Sequence, residues 1–377
     1  MAETVLLIGT RKGLWIGRSA DDRKSWSIEG PQLPMEEVAA VGVDPRGGGK
    51  QTDGAQPGHD GVTPRLFAGS TNFAYGTRVL HSDDLGHSWQ GVPEDAIRFP
   101  ERTGNSLNRV WQITPGVQPG EVWAGVEPSA VFRSTDGGVT FTMNDALWDH
   151  PHRETWEPGF GGQAVHTVLP HPDDPEDVLI AMSTGGCYRT TDGGRSWAPR
   201  STGIRADFNP EGKKYPEFGQ CVHKVARDAA DPDLLFAQNH GGVFRTKDGG
   251  AHWDSIEPGL PATFGFPVLT DPRKPGTVLV FPLVADVERF PPDGAMKVWR
   301  SPDSGDTWEP LTAGLPQDGM YSAVMRDAAC VDAGDPTGIY FGTRSGTVYA
   351  SRDGGDSFTE IAANLPDVLS VRAATLS

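Results

Sequence analysis

Thr190-Thr-Asp-Gly-Gly-Arg-Ser-Trp197 decides the fold, because the chain carries this pattern seven times. The other copies are Ser19-Ala-Asp-Asp-Arg-Lys-Ser-Trp26, Ser82-Asp-Asp-Leu-Gly-His-Ser-Trp89, Ser134-Thr-Asp-Gly-Gly-Val-Thr-Phe141, Thr246-Lys-Asp-Gly-Gly-Ala-His-Trp253, Ser301-Pro-Asp-Ser-Gly-Asp-Thr-Trp308 and Ser351-Arg-Asp-Gly-Gly-Asp-Ser-Phe358. Their form is Ser/Thr-x-Asp-x-Gly-x-Ser/Thr-Trp/Phe, and the closing aromatics lie 63, 52, 56, 56, 55 and 50 residues apart. A unit repeated at this period signals an array or propeller rather than one irregular domain. Each copy suits the tight turn between two antiparallel strands. The Asp carboxylate accepts amide hydrogen bonds from its own turn, and the following Gly takes a positive φ. The aromatic then opens the next strand and buries its ring under the turn. Arg23 replaces the Gly of the first copy, which predicts a looser turn there.

The motif resembles the Asp-box, or BNR repeat, of sialidases, sortilin-type receptors, xyloglucan-hydrolysing propellers and photosystem II assembly factors. In those families the box is a structural staple away from the active site. The resemblance therefore implies that the seven Asp residues are neither catalytic nor metal-binding. The opening Leu7-Ile-Gly-Thr-Arg-Lys-Gly-Leu-Trp15, taken with the boxes, resembles a bacterial group of BNR-repeat proteins described as sialidase-like, glycosyl hydrolase-like or photosystem II stability factor-like. True sialidases are similar in their boxes but use six blades, an arginine triad, a Tyr nucleophile with a Glu partner, and an Asp acid/base. They also carry an early Phe/Tyr-Arg-Ile-Pro motif, which does not occur in this sequence. None of the sialidase roles transfers, and sialoside hydrolysis is not expected.

At 377 residues the chain exceeds the usual size of a single core. A propeller evades that limit because each blade packs on its neighbours. Gly 48 and Pro 32 fit many short strands separated by turns. The net charge of −17 argues against sequence-independent binding of nucleic acid or of an anionic membrane surface. No stretch is long and apolar enough to span a bilayer, and the opening lacks the basic start and full apolar run of a signal peptide. Cys187, Cys221 and Cys330 are scattered and read as reduced thiols. These features predict a cytoplasmic monomer.

The expected architecture is all-β: a seven-bladed β-propeller of four-stranded antiparallel blades. Blade 1 takes residues 1–30 plus 367–376, and blades 2 to 7 take 36–93, 108–146, 163–200, 220–257, 264–312 and 321–362. Blade 1 has no strand A before Val5, so Val368–Leu376 is expected to supply it and close the ring. Closure removes two sheet edges that would otherwise invite aggregation. Chain direction puts the boxes and A–B turns, including the Arg46–Pro64 insertion, on one face. The D–A connections and B–C turns lie on the other, around the mouth of the central funnel. The long connections Thr142–Gly162, Ala198–Gly219 and Ala285–Ala295 all fall at this mouth, where sites are usually built.

Blades 4 and 5 begin with matching text, Gln163-Ala-Val-His166 and Gln220-Cys-Val-His223, which puts the two histidines in equivalent places. His240 lies in the next B–C turn. His166, His223 and His240 are candidate ligands for Zn²⁺, Mn²⁺ or Fe²⁺, with His150 and His152 on the loop before blade 4. A seven-bladed lyase family acting on oligogalacturonate holds a metal with His and Gln in its funnel, a likeness of architecture only. The bland alternative makes His166 and His223 polar channel residues bonded to backbone or water. Glu154, Glu157, Asp207, Glu211, Glu217, Asp286, Glu288 and Asp318 are plentiful acids for a glycosidase pair. His166, His223 and Glu157 are the candidate catalytic residues. Trp111, Trp148, Trp156, Tyr215, Phe264 and Tyr321 offer stacking surfaces or interblade packing. Arg11, Lys12, Arg109, Arg153, Lys213, Lys214, Arg289 and Arg344 can attract an anion or remain solvated. Arg109, Gln163, Gln220, Trp156 and Tyr321 are the candidate ligand-binding residues. The expected partner is a small polar or saccharide-like molecule, bound by a glycosyl hydrolase-like or metal-dependent carbohydrate-active protein. The alternative is a non-catalytic scaffold for a protein partner.

Overall fold

The structure is a computed structural model that describes residues 3–47, 62–91, 96–158, 162–285 and 287–376. Residues 48–61 of the Arg46–Pro64 insertion and Asp286 lie outside the described residues. Seven four-stranded antiparallel sets follow one another along the chain. Blade 2 comprises Glu37–Asp44, Arg65–Asn72, Gly76–Ser82 and Gln90–Gly91. Blade 3 comprises Arg109–Pro115, Val122–Glu127, Ala130–Ser134 and Thr142–Met143. Blade 4 comprises Val165–Pro170, Val178–Met182, Gly186–Thr190 and Ala198–Pro199. Blade 5 comprises Val222–Arg227, Leu235–Asn239, Gly242–Thr246 and Asp254–Ser255. Blade 6 comprises Val268–Thr270, Val278–Val280, Val298–Ser301 and Glu309–Leu311. Blade 7 comprises Val324–Val331, Ile339–Thr343, Val348–Ser351 and Thr359–Ala362.

The ring closes as the sequence predicts. Val368–Leu376 pairs antiparallel with Glu3–Thr10, from Glu3 opposite Leu376 to Thr10 opposite Val368. Gly13–Ser19 and Ser27–Gln32 complete blade 1. A single parallel bridge between Asp327 and Ser370 joins blades 7 and 1 into an eight-stranded sheet. The apolar core lies between successive sheets: Phe67, Val110 and Phe132 join blades 2 and 3, while Ala181, Val222 and Phe244 join blades 4 and 5. Among the described residues no helix is long and apolar enough to cross a membrane.

The boxes hold the ring together. In blade 4 the Thr190 hydroxyl donates to Asp192 Oδ1 at 2.7 Å, and the same oxygen accepts the Ser196 amide at 2.9 Å. The Ser196 hydroxyl donates to Asp192 Oδ2 at 2.6 Å. Charged acceptors with several donors keep the proton off, and the Asp192 carboxyl is held down at about 2, chiefly by the Ser196 hydroxyl. The aromatic does more than sit beneath its turn. Its indole N–H reaches back to the preceding blade, from Trp197 to Asn144 Oδ1, Trp253 to Arg200 O and Trp308 to Ile256 O. Strand-C arginines reach forward: Arg189, Arg245 and Arg300 donate to the carbonyls of Gly249, Ser304 and Gly354 in the next box. Gly194 is required twice over, by its φ of 86° and because a Cβ would stand 2.3 Å from Asn144.

The first box departs from the expected looser turn. Arg23 occupies the left-handed region at φ 62° and is buried, its guanidinium 3.2 Å from both oxygens of the buried Asp332 in blade 7. An ion pair across the closure takes the place of the missing glycine.

Candidate functional site at the funnel mouth

Six strand-A registers slip by one or more residues, and the slips fall at the mouth. Ala39, Trp111, His166, His223 and, in the closing strand, Leu369 each sit unpaired between neighbours that do pair, and blade 7 loses register between Val324 and Ala329. A bulge re-aims the extra side chain, which is why bulges gather beside sites. Of these positions, Ala39, Trp111, His223, Met325, Arg326 and Leu369 line a cavity of about 800 Å³. Other parts of its wall come from D–A connections (Thr155, Glu157, Phe208, Asn209, Phe218) and from B–C turns (Arg11, Ser183, Thr184, His240, Arg289, Arg344). The loops assigned to the mouth by chain direction therefore do enclose one space.

The two matched histidines occupy equivalent places, and each bonds to a backbone carbonyl of the next blade. His166 Nε2 is 2.8 Å from Val222 O, and His223 Nδ1 is 2.5 Å from Gly265 O. A carbonyl only accepts, so each ring carries its proton at that nitrogen. The remaining nitrogens differ. His166 Nδ1 meets the Thr167 hydroxyl at 3.1 Å in a fully buried position, whereas His223 Nε2 faces the Cys221 sulfur at 3.6 Å. Burial, reinforced by Arg326, holds both rings well below the ordinary histidine range, so both are neutral. The side chains that converge are Cys221, His223 and His240, whose ligand atoms all lie within 4.8 Å of one another. His166 is not in that set, and Cys221 stands where the sequence suggested a third histidine.

The other predicted residues divide clearly. Arg109 lines the cavity, bound to Glu37 at 2.6 Å and set over Trp111. Glu157 lines it as an exposed carboxylate with no ion pair among the described residues. Gln163 and Gln220 tie down loops instead, donating to Trp156 O at 2.5 Å and Pro216 O at 2.6 Å. Trp156 is buried under its loop, donating to the Tyr188 hydroxyl. Tyr321 is exposed beside Phe290 and is not part of the cavity wall. His150 and His152 are packed around Tyr188 and Phe218.

Two features escaped the sequence. A buried triad links strand A of blades 5, 7 and 1, with Asp327 Oδ1 2.7 Å from both Lys224 Nζ and Arg372 Nη2. Next to it Arg326 is only 6% exposed and lies between Trp111 and Phe266, 5.4 and 5.3 Å from the ring centres. Among the described residues no carboxylate lies within ion-pair distance of Arg326, and its Nε has no hydrogen-bond partner. Burial pushes this guanidinium below its ordinary range. The sign that could have revealed it is Val324-Met-Arg-Asp327, a charged pair inside an otherwise apolar strand A.

No protein-family profile matches the chain. Curated relatives include a xyloglucanase of Paenibacillus sp, 24% identical over 278 residues (63% of this chain, 25% of the relative), and one of Hypocrea jecorina, 24% identical over 280 residues (62% and 29%). The chain thus spans between a quarter and a third of those relatives' length. Among solved structures, an ancestral GH74 enzyme aligns with a TM-score of 0.56 at 15% identity, over 86% of this chain and 38% of that one. YCF48 bound to D1 peptide aligns at 0.50 and 13%, over 86% and 81%. YCF48 from Cyanidioschyzon merolae aligns at 0.50 and 15%, over 91% and 96%. The chain is a seven-bladed Asp-box β-propeller, structurally similar to YCF48 and to the propellers of GH74 xyloglucanases.

Proposed function

We propose that the protein binds a saccharide-like ligand bearing an anionic group, a uronate-type sugar being the simplest example, with its carboxylate against Arg326. The observation that carries this reading is a guanidinium 6% exposed, without an ion-pair partner among the described residues, on the wall of an 800 Å³ cavity. Holding a cation out of water uncompensated costs several kcal/mol. A ligand carboxylate would supply the missing charge and two parallel hydrogen bonds. The cavity size suits a small ligand, and its wall mixes Phe208, Phe218 and Phe266 with Ser183, Thr184 and Asn209. Similarity to proteins named xyloglucanases supports a sugar. A carboxylate-pair glycosidase mechanism gains no support. Of the wall carboxylates, Glu37 is bound by Arg11 and Arg109, and Asp327 by Lys224 and Arg372. Only Glu157 remains without such a partner among the described residues.

The test is calorimetric titration of galacturonate and glucuronate oligosaccharides beside their neutral counterparts. Binding of the acidic sugars alone, lost in Arg326→Met, supports the proposal; equal affinity for neutral sugars overturns it. A second reading, capture of a protein partner, has its own observation. Seven of the eight exposed large apolar side chains among the described residues (Met35, Phe73, Tyr75, Phe208, Tyr215, Val287 and Tyr321) lie on mouth-face loops. A partner held there would be lost on replacing Phe73, Tyr75 and Tyr321 with Ser, a change that leaves Arg326 and its ligand untouched.

A further inference from the structure

The Cys221, His223 and His240 side chains form a compact unit on blade 5. The His240 amide donates to Cys221 O at 3.0 Å, so the B–C turn is pinned directly across from the start of strand A. The register slip at His223 turns that side chain toward the same spot. Three ligand atoms of types S, N and N lie within 4.8 Å of one another. Tetrahedral zinc, with Zn–S near 2.3 Å and Zn–N near 2.05 Å, requires S···N separations of about 3.6 Å. Cys221 Sγ and His223 Nε2 are 3.6 Å apart.

We propose that Cys221, His223 and His240 are the three protein ligands of a Zn²⁺ site whose fourth position opens into the mouth cavity. The supporting shell is in place. His223 donates Nδ1–H to Gly265 O, which fixes the ring and leaves the Nε2 lone pair facing the sulfur, as outer-shell carbonyls do for ligating histidines. Metal binding releases the thiol proton to solvent, and the thiolate is held by zinc. One thiolate and two neutral imidazoles leave zinc with one positive charge, which Arg326 augments, so the open position favours an anion or hydroxide. Sulfur ligation selects zinc over manganese. Three protein ligands with one open position is the arrangement of catalytic rather than structural zinc. The inference is independent of the ligand assigned to Arg326.

The experiment uses the 377-residue chain without a polyhistidine tag, stripped with chelator and loaded with Co²⁺ as a spectroscopic probe. The expected result is one cobalt per chain, a thiolate-to-cobalt charge-transfer band in the near ultraviolet, and displacement of that band by Zn²⁺. Cys221→Ser should abolish the band while far-ultraviolet circular dichroism stays unchanged. His240→Ala, a turn substitution, should weaken metal binding at least tenfold and keep the fold even if buried His223 tolerates no change. Folded wild-type protein that takes up no cobalt, or a cobalt spectrum identical in Cys221→Ser, overturns the site. Failure here with uronate binding intact removes the zinc site alone; loss of uronate binding in Arg326→Met with the band intact leaves it standing.

Discussion

Replacing Arg326 by methionine should leave the protein at least as stable and much poorer at binding an anion. The guanidinium is 6% exposed and has no ion-pair partner among the described residues. Its desolvation costs several kcal/mol, offset by cation–π contacts to Trp111 and Phe266 of about 2 kcal/mol each when dry. Methionine keeps a flexible apolar stem in the same space and removes both terms. The net change in unfolding free energy is therefore about 0 to +2 kcal/mol. At about 2–4 °C per kcal/mol the melting temperature should hold or rise by several degrees. Loss of hydrogen bonds to a charged partner removes about 1.5–3 kcal/mol of binding, or roughly 10- to 150-fold in Kd for galacturonate oligosaccharides. Differential scanning calorimetry and titration calorimetry on the same preparation give both readouts. A fall in Tm of more than about 5 °C with unchanged affinity would show that Arg326 is a packing residue and refute the reasoning.

Further expectations concern the scaffold. Deleting residues 367–377 removes fully buried Val368 and Val371 and the eight-residue ladder to Glu3–Thr10. At about 1.5–3 kcal/mol per buried valine this is a large part of a typical 5–15 kcal/mol stability, and an unchanged urea midpoint would contradict the closure. His166 is fully buried with its pKa lowered by that burial and by Arg326 and Lys224, so the unfolded chain takes up a proton that the folded one refuses. Stability contributed by His166 is present above about pH 6.5 and is lost below it, at up to about 1.4 kcal/mol per pH unit. His166→Gln, which can still donate to Val222 O, should flatten that slope in urea titrations between pH 7 and 5. For Asp192 the folded pKa is depressed to about 2, so its contribution is present above the unfolded value near 3.9 and is lost as pH falls toward 2. Asp192→Asn should lower the neutral-pH Tm and weaken its acid dependence; an Asn variant matching wild type at both pH values would show the box hydrogen bonds to be idle.

The ring was legible because its information is repetitive and local. A box such as Thr190–Trp197 specifies its turn by Asp, Gly and hydroxyl positions within eight residues, and the spacing of the boxes sets blade number and register. The same register put His166 and His223 in equivalent places and sent the long loops to one face. What it could not show is ring rotation. His166 and His223 share sequence context and neighbour carbonyls, yet one donates through Nε2 and the other through Nδ1. That difference leaves only His223 with a nitrogen toward Cys221. Arg326 was hidden for another reason: strand A of blade 7 reads as core, and the lack of an ion-pair partner for its guanidinium among the described residues depends on what the neighbouring blades bring to it.

The bulges explain why chemistry collects at this end of the ring. A regular strand A alternates its side chains between the two sheet faces, where the neighbouring blades already fill the space, as Val165, Val168, Val222 and Val225 do. Where a bulge occurs it frees a residue from that alternation and from the ladder, so its side chain can differ between blades. The chain uses this freedom unequally: Ala39 is small, Trp111 is a platform for two arginines, His166 is an interblade staple, and His223 faces a thiol. On the opposite face the boxes repeat with little change, and those of blades 4 and 5 are bonded to the blades before and after them. Variation at the mouth and uniformity at the boxes are two results of one constraint: side chains are free to specialise only where interblade bonding does not already engage them.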